Sequence, residues 1–114
     1  MWKKIKKNFV KRWNRELDEN DVDEQGMNNL IQKGAKIVDV RSPQEYKEGH
    51  IEGAISLPEY NIKKDAKHIL PNLEEEILLY CSTGHRSKKA QKELSKMGYK
   101  NVYNLVGGIE NDKS

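Results

Sequence analysis

Cysteine is nearly absent from this sequence. Cys81 is the only one among 114 residues, which excludes an internal disulfide framework and a cysteine-rich zinc site and fits a reducing compartment. Long apolar runs are missing as well: no stretch approaches the roughly 18 to 20 residues that a membrane-spanning helix needs, and the N-terminus alternates lysines with single apolar residues instead of building the core of a secretory signal. The expectation is a cytoplasmic protein. Hydrophobic residues make up 35% of the chain and charged residues 34%, so the core must be small. Runs such as Ile77-Leu78-Leu79-Tyr80 are nevertheless too concentrated for a disordered chain. The length allows one compact domain with a short extension and excludes repeat arrays and multidomain enzymes.

Charge is unevenly placed. Seven basic residues and Glu16 give residues 1–16 a charge of +6, whereas the other 98 residues carry 14 basic and 17 acidic side chains, or −3. The chain thus divides into a cationic extension, residues 1–17, and a mildly acidic domain, residues 18–114. Within the extension, Trp2, Ile5, Phe9, Trp13 and Leu17 recur every three or four residues, the spacing of one face of a basic amphipathic helix. That stripe has three possible uses: docking on the domain's own surface, peripheral contact with a membrane, or pairing with a partner. No feature suggests nucleic-acid binding.

From residue 20 onward short apolar runs alternate with helical patterns, which implies parallel strands joined by crossover helices. Helices are expected over residues 23–33, from Ser42 to Gly49, over 62–70 and over 87–97. Ser42 with Pro43 and Glu45 reads as a capping box. Strands are expected over 36–40, 54–57, 77–80 and 101–105, with 77–80 the clearest.

The chemistry concentrates in Cys81-Ser82-Thr83-Gly84-His85-Arg86-Ser87, a polar loop between a buried strand and the start of a helix. In an open parallel sheet, ligands bind at the carboxyl ends of strands. Backbone N–H groups turning inward there form an anion nest, and the helix N-terminus adds partial positive charge. With Arg86 contributing a full charge, this setting is expected to lower the Cys81 pKa below the roughly 8.5 of a free thiol and to hold an anionic group bonded to the sulfur. Gly84 permits the sharp turn. Ser82, Thr83 and Ser87 add small donors.

This loop resembles the catalytic loop of the single-domain rhodaneses, Cys-x-x-Gly-x-Arg-Ser, with Cys81, Gly84, Arg86 and Ser87 in register. Two further signatures occur in order, Ile37-Val38-Asp39-Val40-Arg41 and Gly49-His50-Ile51-Glu52-Gly53-Ala54-Ile55, with a weaker match at Leu105-Val106-Gly107-Gly108-Ile109. The resemblance covers about residues 20–109. It implies a small α/β domain whose central parallel sheet has about five strands, with helices on both faces. It also implies a sulfurtransferase that moves a sulfane sulfur from thiosulfate or a persulfide donor, through a Cys81 persulfide, to a thiol or cyanide. Residues Ser82 to Ser87 would bind the small anionic donor, and Asp39 and Arg41 would support the loop. With one cysteine, the acceptor comes from outside: a small thiol or a partner protein's cysteine. No cofactor or metal is implied, and the spacing of His50, His68 and His85 suggests none. The resemblance departs after Gly107-Gly108, where family members often carry a tryptophan-bearing segment, so a stunted last helix is expected.

Two rivals use the same residues. A cysteine phosphatase or arsenate reductase also sets a thiolate in an anion loop ending in arginine, but the phosphatases place a longer segment than the four residues Ser82 to His85 between the two. An interaction or sulfur-carrier module without turnover is the other. His50 and His68 read as structural and surface residues, and Lys88 and Lys89 as a solvated helix face.

Overall fold

A computed structural model of the chain describes residues 19–110. The extension expected as an amphipathic helix, and the segment after Glu110 where a stunted helix is expected, lie outside the described residues. The elements are β1 (Asp21–Val22), α1 (Glu24–Gln32), β2 (Lys36–Asp39), α2 (Pro43–Glu48), β3 (Ile55–Ser56), a 3-10 turn (Glu59–Asn61), α3 (Ile62–Ile69), β4 (Glu76–Tyr80), α4 (His85–Lys96) and β5 (Asn101–Leu105). All strand pairs are parallel, in the order β1-β5-β4-β2-β3. Among the described residues no helix is long and apolar enough to cross a membrane.

The central strand β4 explains the apolar run read in the sequence. Covered on both faces, it needs apolar side chains at every position, and Ile77 through Tyr80 are fully buried. Alternation along the strand then sorts them. Ile77, Leu79 and Cys81 join Ile62 and Ala66 of α3 and Ala90 and Leu94 of α4, whereas Leu78 and Tyr80 join Met27 and Leu30 of α1 and Ile37 of β2. Each such aliphatic side chain removed from water contributes roughly 1.5 to 3 kcal/mol. The strand therefore anchors both layers and delivers Cys81 at its carboxyl end on the α4 side.

Local signals set the element ends. Asp23 caps α1 by accepting from Gly26 N, and Ser42 and Glu45 form both hydrogen bonds of a capping box at α2. Gly26, an unfavourable residue in a helix interior, is there because a Cβ would stand 2.8 Å from Val22 Cβ. That close approach belongs to β1, a two-residue strand the apolar pattern does not reveal. Helix α4 begins at His85, earlier than the expected residue 87, so Arg86 sits in its first turn.

Candidate active site

Cys81 follows the central strand and is fully buried. Gly84 adopts a φ of 101° as the N-cap of α4, a left-handed conformation that favours glycine, and this turn aims its N–H at the sulfur. Gly84 N donates to Cys81 Sγ at 3.0 Å and Ser87 N at 3.4 Å, while the Ser87 hydroxyl lies 3.4 Å away. Two inward amides at a helix N-terminus thus face the sulfur, with the Ser87 hydroxyl beside them. Thr83 and His85 are exposed on the rim, bonded to each other at 3.1 Å. Ser82 turns the other way, its hydroxyl 3.4 Å from Glu45.

The Gly107-Gly108 turn holds this loop from behind. Ile109 N donates to Cys81 O and Glu110 N to Ser82 O, each at 3.0 Å. A Cβ at Gly108 would fall inside van der Waals contact of Ser82 O and Cys81 O, so only glycine lets the two backbones meet there. This gives the weaker sequence match at Leu105–Ile109 a physical reason.

Arg86 is committed to an internal partner. Its guanidinium donates to Glu45 Oε1 at 2.8 Å and to Oε2 at 3.0 Å, a bidentate pair. The Arg86 hydrogen bonds, aided by donation from Ser42 and opposed by burial, hold the Glu45 carboxyl down at about 2 against an ordinary 4.5, and the same pairing raises Arg86. A carboxylate depressed in the folded state stabilises the fold above its ordinary pKa and loses that contribution as pH falls through the folded value. The Tm of the protein should therefore decline as pH drops from 4.5 toward 2. In thermal melts over that window, Glu45→Gln should show a shallower decline.

Asp39 and Arg41 lie at the carboxyl end of the neighbouring strand β2. Asp39 is fully buried and accepts from Arg41 N at 2.9 Å, Arg41 Nη2 at 2.8 Å and Tyr80 Oη at 2.8 Å. Arg41 also donates to Gly49 O, and Tyr80 Oη accepts from Ile51 N at 2.9 Å. A buried carboxylate persists only when so satisfied, and its partners tie the Gly49–Ile51 turn to the sheet. Burial and the bond to Asp39 push the Tyr80 phenol up, against the Ile51 amide. His50 stacks on Tyr46 with centroids 3.7 Å apart and donates to Tyr46 O. Beside the loop lies an open cleft of about 510 Å3, lined by Arg41, Glu45, Glu48, His50, Ile51, Ser82 and Glu110 among others.

The structure thus gathers Gly84 and Ser87 around Cys81, sets Thr83 and His85 at the rim, and turns Ser82 and Arg86 toward Glu45. Lys88 corrects one expectation. It is not a solvated face residue, because it donates to Asp21 at 2.7 Å across to β1. Lys89 stays exposed, 3.6 Å from Glu59. Sequence reasoning used Glu45 only as a cap and missed it as the partner of Arg86. It also missed Asn104, whose only signal is a polar residue in a strand that packs into the core.

A parallel five-stranded sheet with a cysteine in an amide nest at the carboxyl end of its central strand defines a class, and comparison with known families agrees. The rhodanese-like domain model matches residues 23–114: the chain belongs to the rhodanese-like family. It is 36% identical over 73 residues to the thiosulfate sulfurtransferase PspE of Escherichia coli, covering 64% of this chain and 69% of that protein. It is also 36% identical over 81 residues to the thiosulfate sulfurtransferase GlpE of Pseudomonas entomophila, covering 71% and 72%. A tRNA uridine(34) hydroxylase of Buchnera aphidicola is 36% identical over 88 residues, 73% of this chain, and there the chain spans only 28% of the relative. Among solved structures, the human single-domain sulfurtransferase TSTD1 superposes with a TM-score of 0.74 at 25% identity, covering 84% of this chain and 96% of that one. Relatives named as thiosulfate sulfurtransferases support sulfurtransferase activity in general.

Proposed function

We propose that the chain is a cytoplasmic thiosulfate or persulfide sulfurtransferase with Cys81 as its nucleophile. The reading is carried by the two amides, Gly84 N–H and Ser87 N–H, that converge on Cys81 Sγ at the start of α4. The Cys81 thiolate attacks the outer sulfur of the donor. A new S–S bond forms as the donor's S–S bond breaks, and sulfite, or the thiolate of a persulfide donor, leaves with the electron pair. The two amides aimed at Cys81 Sγ stand beside the negative charge of the persulfide at the start of α4, the advantage of a preset nest. An outside thiolate or cyanide attacks that terminal sulfur, carries it off and returns Cys81 to thiolate.

Burial of Cys81 means that donor and acceptor meet the rim of Thr83 and His85 before the sulfur. The adjoining cleft gives an acceptor thiol, free or on a partner protein, a place to rest. Arg86 attracts a donor anion only in competition with Glu45. Asp39 and Arg41 contribute by holding the backbone in place. Residues 1–17 remain an extension outside this chemistry, with peripheral membrane contact as one use.

Incubation with thiosulfate and mass measurement of the intact protein tests the mechanism. One added sulfur atom, located at Cys81 and removed by cyanide with release of thiocyanate, is the expected result. An adduct elsewhere, or none, overturns it. Repeated turnover distinguishes an enzyme from a sulfur carrier, which would load once and wait for a specific partner.

A further inference from the structure

Behind the sulfur runs a chain of hydrogen bonds that the reaction above leaves unused. The Ser87 hydroxyl has one proton and three neighbours. Cys81 Sγ lies 3.4 Å away, Gly84 O 3.2 Å away, and Asn104 Oδ1 makes the shortest contact of the three. Which end of the Asn104 amide faces Ser87 is decided on its far side. Asn104 Nδ2 donates to Asp21 Oδ1 at 3.1 Å, and a carboxylate only accepts, so the carbonyl must face Ser87. Asp21 is itself pinned: its side chain is 1% exposed and takes the Lys88 ammonium at 2.7 Å. Ser87 and Asn104 are buried too.

We propose that Asn104, oriented by Asp21, is a positioning residue that turns the Ser87 proton away from Cys81 and so opposes formation of the thiolate. With its proton given to Asn104, the Ser87 oxygen shows the sulfur a lone pair. That lone pair accepts from S–H but opposes S⁻. The two loop amides favour the anion, and Asn104 sets the opposing weight. When the sulfur becomes anionic the hydroxyl must turn toward it and give up its bond to Asn104. The inference rests on the role proposed for Cys81, and it extends the site to β1 and β5.

Alkylation of the full-length protein by iodoacetamide across pH reads this directly, because the thiolate is the species that reacts. Asn104→Leu removes the nearest acceptor and leaves the Ser87 proton to be shared between Cys81 Sγ and Gly84 O. The midpoint of the profile should fall by about one pH unit, or tenfold in rate at a fixed pH below it, the scale of one hydrogen bond to a charged group. Asn104→Ser, too short to reach Ser87, should shift it the same way and serves if the leucine variant does not fold. In a Ser87→Ala background, Asn104→Leu should change nothing. The charged and titratable groups around the loop, Arg86 with Glu45, Arg41 with Asp39, Lys88 with Asp21, and His85 and Tyr80, are the same in every variant. An unmoved or raised midpoint in a folded Asn104 variant overturns the proposal, as does an equal shift without Ser87. Alkylation needs no sulfur donor, so failure of sulfur transfer leaves this test readable.

Discussion

Cys81→Ser should lose sulfur transfer altogether, with turnover falling on the order of a thousandfold or more to the uncatalysed level. A hydroxyl is scarcely ionised at neutral pH and would have to form an S–O bond in place of the exchangeable S–S bond that the double displacement requires. The amide nest survives the substitution, because Gly84 N and Ser87 N can donate to an oxygen as they do to the sulfur. The residue lies fully buried among Val40, Leu57 and Ala90, so exchanging a sulfur for a smaller, more polar atom should cost about 1 kcal/mol. For a domain of this size that is a decrease in Tm of about 4 to 8 °C. A folded Cys81→Ser protein that still converts thiosulfate and cyanide to thiocyanate refutes the mechanism. Melting the same preparation shows that the loss is chemical and not structural.

Arg86→Ala carries the second large effect. Loss of the guanidinium charge from the first turn of α4 should remove about 2 to 4 kcal/mol of transition-state stabilisation, roughly 30- to 1000-fold in kcat/KM for thiosulfate. The ion pair adds a signature. Glu45 is bound to Arg86 through both oxygens, so removing the guanidinium leaves a carboxylate facing an anionic donor, and part of the loss is repulsion. The double variant Arg86→Ala with Glu45→Gln should therefore recover part of the activity that the single variant loses. Arg86→Lys should rescue incompletely, since an ammonium lacks the planar fork that grips both oxygens. Wild-type kcat/KM in Arg86→Ala moves Arg86 to a purely structural role as the clamp between α2 and α4. A double variant no better than the single shows that Glu45 exerts no repulsion on the donor.

How far the site can be read from the chain depends on the range of the interactions involved. Ser42, Pro43 and Glu45 specify the start of α2 because a capping box closes within four residues. Ile77 to Tyr80 identify the central strand because burial on both faces demands an unbroken apolar run. Cys81, Gly84 and Ser87 are adjacent enough for their spacing to define a nest. All of these were legible. Strand β1 was not, since two residues, one of them an aspartate, carry no periodicity and pair only with a strand more than 80 residues away.

The same boundary separates the two parts of the site. Sequence by itself determined the α/β architecture and the position of the loop that carries Cys81, because hydrophobic period, caps and turn chemistry act over a few residues and leave their mark in composition. Only the tertiary structure decided that Arg86 faces Glu45, 41 residues away in the chain, and that Asn104 and Asp21 stand behind Ser87. Polar side chains of this kind obey no period. Which of them meet is settled by the order in which parallel strands stack and by the requirement that every buried charge and amide find a partner, and that requirement takes effect only once the chain has closed.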